Sequence, residues 1–428
     1  MRIIQITPGT GTFYCGSCLR DHALVSELQI RGHEVTMVPM YLPLVLDGGQ
    51  SPDSPLFFGG INVYLQQKSA LFRKLPAWAD KVFDHEALLR MASKNAGMTR
   101  PRDLGELCLS TLRGEEGKQV KEIRKLVDWL RNEPPADLIV LSNAMLAGLA
   151  RSLKTALGLP VVCTLQGEDS FLDSLPPELA EASWATLRER MEDVDAVVAV
   201  SQYYGDLMAE RLALPADKLH VVHNGIAIDD VELRTSLPEP PVIGYLAAMC
   251  RGKGLDILSD AFIRLKADNR IPNLQLRVIG TVTKADEPYL AEIAKRLESA
   301  GVMDDVSFHR NVTREEKQRL LSTLSVLSVP ADYGEAFGLY VLEALAAGVP
   351  VVQPDHAAFP ELLAATKGGR LCEHRNPEDL ARVLAELLAN PEALVELGAN
   401  GRRAVEAAFT AAAMAQRAEA VYASVLAN

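Results

Sequence analysis

Two glutamates that lie eight positions apart share one glycine-containing segment of this sequence. The segment reads DYGEAFGLYVLEALAAGVP, and the two carboxylates are those of Glu335 and Glu343. Gly338 favours a turn, and the apolar pattern after it predicts a helix over 339–347 that a glycine and a proline end. Free amide groups at a helix N-terminus suit a phosphate, and carboxylates bind vicinal hydroxyl groups. The segment is therefore a candidate site for a diphosphate with hydroxyl-rich groups beside it. A solvated helix face that carries ordinary acids is the alternative.

A second pattern that could do chemistry is the CxxC pair of Cys15 and Cys18. A helix N-terminus lowers the pKa of a CxxC thiol, which suits redox chemistry, and one CxxC supplies at most half of a zinc site. The sequence has no second CxxC and no His-x3-His. Small residues that line the wall of a cleft are the third interpretation. All six cysteines are expected to be reduced thiols in a chain without an export signal.

The stretch 68–133 is locally basic, with 14 lysine and arginine residues against 10 acidic residues. Within it, residues 68–83 interleave apolar and basic side chains. Such a segment can lie on an anionic membrane or bind a lipid-linked or polyanionic acceptor. An amphipathic helix that covers the core of the first domain is the alternative.

Composition limits the possible function classes. The 428 residues suggest two domains, and 48% hydrophobic with 23% charged residues is typical of a soluble globular protein. A net charge of −12 argues against a nucleic-acid partner, which favours a basic surface. The apolar run before Pro8 is shorter than a signal-peptide core, and no later run reaches about 18 residues. We therefore expect a cytoplasmic protein that is peripheral to a membrane at most.

Apolar runs alternate with helical patterns, and these elements must position the candidate residues. A strand over 1–7, a glycine-rich loop, a helix over 19–29 and a strand over 33–39 open a doubly wound parallel sheet. The alternation restarts at 242–246, after a proline-containing linker. We predict an α/β fold of two Rossmann-like, doubly wound parallel-sheet domains that face a cleft. The predicted parts are a first domain over 1–235, a second over 236–408, and a C-terminal helix over 409–428 that can return to the first domain.

The segment around Glu335 and Glu343 resembles the E-x7-E segment of the family-four retaining glycosyltransferases, which are glycosyl transferases of group 1 with the GT-B fold. The resemblance covers nearly the whole chain, because further segments match in order and at the right spacing. These segments are KLHVVHNGI (218–226), LAAMCRGKGL (246–255), FHRNV (308–312), AAFPEL (357–362) and KGGRL (367–371).

The resemblance implies that a sugar is transferred, with retention of configuration, from a nucleoside diphosphate sugar bound by the second domain. The acceptor, a glycan, a lipid-linked molecule or a small molecule, would be bound by the first domain. No cofactor other than the donor substrate and no metal are implied. The implied roles are sugar contact by Glu335, ribose contact by Glu343, phosphate contact by Lys253, amide donation by Phe337, Gly338 and Leu339, and a loop over the base that contains Val312.

The sequence departs from the family pattern at the phosphate-binding cations. The family usually has an arginine four intervening residues before the lysine, and that position is Ala248 here. A lost cation beside a leaving diphosphate removes electrostatic stabilisation, for which a single donor can contribute about 3 to 4 kcal/mol. Arg251 is a candidate to replace it, and a solvent-facing loop arginine is the alternative.

A second departure lies in the segment TLQGED, where Gln166 stands in place of the family's frequent histidine. Glutamine cannot exchange protons, so its predicted role is a hydrogen bond to the sugar. The neighbours Glu168 and Asp169 could orient an acceptor hydroxyl group or be ordinary surface acids.

The third departure is the glycine-rich loop, where the family's paired glycines fall on Cys15 and Gly16. Approach of the backbone to a phosphate remains possible through Gly16 and Ser17, with Gly9 and Gly11 in the preceding turn.

Two further function classes stay open because of these departures. One is a nucleotide-sugar-binding protein with little or no transferase activity. The other is an enzyme that epimerises or isomerises a nucleotide sugar on the same architecture.

Overall fold

The structure of the chain is a computed structural model that describes residues 1–8, 16–41, 45–46, 49–50 and 101–427. Cys15, the glycines at positions 9 and 11, and the segment 68–83 lie outside these residues. The chain forms two compact units, which are Met1–His223 with Met414–Asn428, and Asn224–Ala413.

The first unit is built on a parallel sheet. Its strands are β1 (Arg2–Thr7), β2 (Glu34–Pro39), β3 (Val45–Leu46), β4 (Gly49–Gln50), β5 (Leu138–Leu141), β6 (Val161–Leu165), β7 (Ala196–Ala199) and β8 (Leu219–Val221). Strands β3 and β4 form a separate antiparallel pair, and the other six form one sheet in the order β2-β1-β5-β6-β7-β8. Every position of β5, β6 and β7 is buried, as expected for apolar strands covered on both faces.

Helices connect these parallel strands. They are α1 (Gly16–Ile30), α2 (Pro101–Leu112), α3 (Val120–Asn132), α4 (Ala150–Leu157), α5 (Asp169–Asp173), α6 (Pro177–Arg190) and α7 (Gln202–Leu212), with short 3-10 turns at Gly114–Glu116, Ala144–Leu149 and Met191–Asp193.

The second unit repeats the plan. Its strands are β9 (Val242–Leu246), β10 (Gln275–Gly280), β11 (Val306–Arg310), β12 (Val326–Leu327), β13 (Val351–Pro354) and β14 (Gly369–Cys372). They form one parallel sheet in the order β11-β10-β9-β12-β13-β14. The two sheets confirm the predicted α/β fold with two doubly wound domains.

Each of the first six helices of the second unit follows a strand, and the seventh follows the sixth helix. They are α8 (Leu255–Asp268), α9 (Glu287–Ser299), α10 (Arg314–Leu321), α11 (Leu339–Ala346), α12 (Phe359–Thr366), α13 (Pro377–Leu388) and α14 (Pro391–Ala408), with a 3-10 turn at Met303–Asp305. No helix among the residues described in either unit is long and apolar enough to cross a membrane.

The C-terminal helix α15 (Ala411–Ala427) packs into the core of the first unit. Met414, Ala418 and Tyr422 recur at every fourth position and are buried, so they share one apolar face. That face packs in the same cluster as Ile3 of β1 and Leu24 of α1.

The unit boundary at His223 and Asn224 leaves residues 224–235 in the second unit, whereas the predicted boundary placed them in the first domain. The half-buried guanidinium of Arg234 explains part of this difference. It donates to the carbonyl oxygens of Leu324, Ser325 and Leu394, all in the second unit. Burial lowers the pKa of Arg234 to about 10, so the group is still charged at neutral pH.

The strand order of the second sheet defines where a ligand can enter. β9 lies between β10 and β12, so the chain leaves it in one direction and later continues in the other. In doubly wound sheets, ligands bind at the carboxyl ends of the strands beside this switch point. The loops there are residues 247–254, after β9, and residues 328–338, after β12.

Gly254 holds these two loops in close contact. Its φ is +74°, a conformation that favours glycine, and a Cβ added there would overlap the carbonyl oxygen of Pro330. Only glycine satisfies both constraints at this position.

We expect G254A to lower the free energy of unfolding by about 3 kcal/mol, because strain in φ and steric overlap add. G301A is the matched control, since Gly301 has φ +70° and nothing within 4 Å of an added Cβ. It should lose only about 1 kcal/mol. Urea denaturation of both variants, followed by circular dichroism, measures the difference, and equal losses would contradict the close contact.

Candidate active site

Lys253 and Glu335 form an ion pair where the loops after β9 and β12 meet. The lysine Nζ lies 2.7 Å from Oε2 of the glutamate, and the side chains are 19% and 13% exposed. The hydroxyl groups of Tyr333 and Tyr340 donate to the same oxygen, at 3.2 and 3.0 Å. One carboxylate oxygen therefore has three donors.

The two tyrosine rings also surround the lysine. Nζ of Lys253 lies 4.7 Å from the ring centroid of Tyr333 and 5.5 Å from that of Tyr340, within cation–π range. Within the described residues, no hydrogen bond or ion pair of the protein reaches Oε1 of Glu335. That oxygen is therefore available to a ligand.

The surroundings of Lys253, Tyr333 and Tyr340 keep all three side chains protonated at neutral pH. Burial alone would lower the pKa of Lys253, but the attraction of Glu335 outweighs it, and the pKa is raised above its ordinary value. Burial and the same carboxylate raise the pKa of Tyr333 and Tyr340. At neutral pH, Lys253 is a cation and both tyrosines are hydrogen-bond donors.

Helix α11 begins beside this pair with an open N-terminus. Gly338 precedes it with φ +89°, and no side chain among the described residues caps it. A Cβ at Gly338 would lie 3.2 Å from the Phe359 ring, and the Phe337 side chain is buried against Phe409, with ring centroids 6.5 Å apart. The rings of Phe359 and Phe409 therefore pack against this turn. Leu339 starts a helix whose first amides have no partner within the helix.

Glu343 lies one helical turn after Leu339 and is paired with a lysine that the sequence did not reveal. Nζ of Lys317, on α10, is 2.6 Å from Oε1 of Glu343. The lysine side chain is 11% exposed and that of the glutamate 23%. Lys317 stands in the charged run REEKQR, which is typical of a solvated helix face, so this contact could not be predicted from the sequence.

Arg251 is not brought to the Lys253–Glu335 pair. Its guanidinium lies 2.5 Å from Glu292 of α9 and 5.1 Å from the ring centroid of Tyr289, and its side chain is 68% exposed. Ala248, at the position of the family arginine, accepts a hydrogen bond from the Tyr245 hydroxyl group through its carbonyl oxygen. The structure therefore shows Arg251 facing solvent, which is the second of the two interpretations of this residue.

Val312 lies in the loop after β11 and is half-buried. The preceding residue, Asn311, has φ +51° and exchanges two side-chain hydrogen bonds with the backbone of Val282. These bonds join the loops after β10 and β11 at the carboxyl edge of the sheet, on the far side of β9 from Glu335.

In the first unit, Gln166 belongs to a buried polar cluster at the carboxyl ends of β1, β5 and β6. Its Nε2 donates to the carbonyl oxygen of Ser142 at 2.5 Å and approaches Asp21 at 3.4 Å. Burial raises the pKa of Asp21, against the lowering effect of Arg20, which lies 3.0 Å away. Gly16 and Ser17 form the start of α1 in the same unit, and only their backbone is described.

Glu168 is neither a surface acid nor free to orient an acceptor. It is 6% exposed and accepts hydrogen bonds from the amides of Ala144, Gln166 and Gly167 and from the Tyr204 hydroxyl group. Its neighbour Asp169 is also buried. These hydrogen bonds join the loop after β6 to the segments of Ala144 and Tyr204, and the surface-acid alternative for Glu168 was wrong.

Two family models match consecutive parts of the chain. "Glycosyl transferases group 1" matches residues 232–404, which contain the Lys253–Glu335 and Lys317–Glu343 pairs, and "Glycosyltransferase Family 4" matches residues 106–230. The chain is a group 1 glycosyltransferase. The predictions of this family and of a transferase enzyme are confirmed.

The curated relatives of this glycosyltransferase carry names that give them different substrates. It is 27% identical over 297 residues to the GDP-mannose-dependent alpha-(1-6)-phosphatidylinositol monomannoside mannosyltransferase of Mycobacterium tuberculosis, covering 65% of this chain and 71% of the relative. It is 29% identical over 331 residues to the alpha-maltose-1-phosphate synthase of Mycolicibacterium smegmatis, covering 69% and 81%.

Solved structures confirm the GT-B fold of the glycosyltransferase. Sucrose-phosphate synthase from Thermosynechococcus elongatus superposes with a TM-score of 0.73 at 18% identity, over 100% of this chain and 99% of that one. Anabaena HepE in complex with UDP-glucose gives a TM-score of 0.66 at 16% identity, over 99% and 100%. At such identities the likeness concerns the fold alone.

We expect E335Q to destabilise this glycosyltransferase by about 2 kcal/mol at pH 7, because Lys253 would be left as a buried cation without its counter-charge. In the wild type the raised pKa of Lys253 keeps the contribution of the pair constant from neutral pH up to about 10.5, the ordinary lysine value. In E335Q, burial would instead hold the pKa of Lys253 below that value. The loss should then shrink as pH rises towards 10 and the lysine releases its proton.

Thermal melts between pH 7 and pH 10 measure this difference. E292Q is the control, since it removes the partner of the exposed Arg251, and a surface pair contributes at most about 1 kcal/mol. A loss for E335Q that grows with pH would contradict the assignment.

Proposed function

We propose that this group 1 glycosyltransferase transfers a sugar from a nucleoside diphosphate sugar to an acceptor, with retention of configuration and without a metal ion. The observation that carries the proposal is the Lys253–Glu335 pair beside the open N-terminus of α11. The pair lies at the carboxyl edge of the second sheet, next to its switch point.

The diphosphate would lie between Lys253 and the first amides of α11. A helix N-terminus attracts anions through its unpaired amides and its dipole, and Lys253 adds a full charge that its environment maintains. When the bond to the sugar breaks, negative charge develops on the leaving diphosphate. Preorganised donors at that position contribute to the rate, and one donor commonly accounts for a factor of about 100 to 1000.

Glu335 would bind the sugar hydroxyl groups. Lys253 and the two tyrosines hold its Oε2, so Oε1 is presented in a fixed direction and can accept from a hydroxyl group. A hydrogen bond to an ionised acceptor is about twice as strong as a neutral one. Glu343, which lies one helical turn after Leu339 on α11, would accept hydrogen bonds from the ribose hydroxyl groups in the same way.

Family membership supports retention, and the amide groups with Lys253 support metal independence, since they supply the positive charge a metal would otherwise provide. The acceptor would be a glycan, a lipid-linked molecule or a small molecule bound by the first unit. The segment 68–83 would make the peripheral membrane contact if the acceptor is lipid-linked.

The names of the relatives suggest the first donors to test. The Mycobacterium tuberculosis relative is GDP-mannose-dependent, and the Anabaena structure holds UDP-glucose. GDP-mannose and UDP-glucose are thus the donors with which to begin.

We expect slow hydrolysis of one of these donors in the absence of acceptor, observed by proton nuclear magnetic resonance. The first sugar released should be the α anomer, because both donors are α-linked and the reaction retains configuration. Excess EDTA should leave the rate unchanged, because no metal takes part.

Each part of the proposal has its own contrary result. Release of the β anomer would contradict retention, and loss of activity with EDTA would contradict metal independence. A changed sugar still attached to its nucleotide would indicate an epimerase. A donor that raises the melting temperature but is never turned over would indicate a binding protein.

A further inference from the structure

Lys317 is a buried lysine whose charge lies against Glu343. The residue is 9% exposed, and α10 carries it to 2.6 Å from the carboxylate. It joins an element that follows β11 to one that follows β12, which lie on opposite sides of β9 in the sheet. The pair therefore spans the switch point of the second unit.

Stability alone is a weak reason for such a pair. Removing two charges from water costs several kcal/mol per ion, and an apolar pair of similar volume often stabilises a fold as well or better. The second unit has a more exposed pair of similar length, Lys266 with Asp305 at 2.7 Å, with the lysine 20% and the aspartate 33% exposed. The difference is that Lys317 lies against a glutamate beside the proposed donor site.

The position of Glu343 on α11 indicates which part of a bound nucleotide this carboxylate would contact. Residues four apart lie on one face of a helix, so Glu343 shares a face with Leu339, whose amide is proposed to meet the diphosphate. One helical turn rises about 5.4 Å. Glu343 would therefore meet the part of the nucleotide next to the diphosphate, which is the ribose, and its side chain is 23% exposed and so accessible to a ligand.

We propose that Lys317 is a positioning residue for nucleotide recognition, holding the carboxylate of Glu343 in the orientation that accepts a ribose hydroxyl group. This inference rests on the proposed function, because it requires a nucleoside diphosphate at α11. The lysine fixes one oxygen of the carboxylate, as Lys253 does for Glu335. The same arrangement of a lysine paired with a glutamate would thus occur twice, once for the sugar and once for the ribose.

The test compares nucleotides that differ only in their ribose hydroxyl groups. Calorimetric titration with GDP and UDP, and with the 2′-deoxy and 3′-deoxy forms of whichever binds, gives the loss of affinity for each missing hydroxyl group. The wild type should lose about tenfold or more for at least one analogue, as expected for a hydrogen bond to a charged group. K317M should bind the nucleotide and that analogue within about threefold of each other, because the lysine that orients the Glu343 carboxylate is removed.

K266M is the matched control, since it removes a lysine from an ion pair of similar length outside the proposed site. It should keep the wild-type ratio. K317R keeps the positive charge and should restore most of the ratio. If K317M does not fold, K317Q, which can still donate to the carboxylate but lacks the charge, should show a ratio well below that of the wild type.

The outcomes separate the two proposals. If K317M or K317Q folds and keeps the wild-type ratio, even with a lower melting temperature, Lys317 is structural and the inference is overturned. If the wild type binds a nucleotide but does not discriminate between ribose and deoxyribose, the inference is also overturned. If neither GDP nor UDP binds the wild type, the titration is extended to the other nucleoside diphosphates, and the proposed function itself is contradicted if none of them binds.

Discussion

The ion pair between Lys253 and Glu335 is the constraint around which the second unit is arranged. Two charges at the end of a parallel sheet are stable only if their remaining hydrogen bonds are satisfied, and Tyr333 and Tyr340 supply these donors. The loop that carries Lys253 can reach the loop that carries Glu335 because Gly254 lets the backbones meet. The same packing leaves the N-terminus of α11 uncapped among the described residues, where an anion can bind.

We propose that this arrangement lets the chain bind a diphosphate without the family arginine. Ala248 has no charge, and Arg251 is engaged with Glu292 on the exposed side of its loop. Lys253 is then left with the amides of α11 as the proposed partners of the diphosphate. Its pKa is raised by Glu335, so the cation keeps its charge at every physiological pH.

The sequence predicted the parts of the structure that depend on local patterns. Apolar runs predicted β1, β2 and β9, and the glycine before an apolar helix predicted α11 within one residue of its end. Contacts between distant residues could not be predicted. Lys317 reaches Glu343 from a helix that looks solvated, and Arg234 joins the linker to carbonyl groups far along the chain. Glu168 looked like a surface acid because its four donors come from three separate segments.

The central claim is that Lys253 binds the diphosphate of the donor. Calorimetric titration of the wild type and K253M with a nucleoside diphosphate and the matching monophosphate tests it most directly, because only the diphosphate carries the terminal phosphate. The wild type should bind the diphosphate more tightly than the monophosphate, and K253M should lose about tenfold or more of that preference. A K253M variant that folds and keeps the full preference would contradict the account.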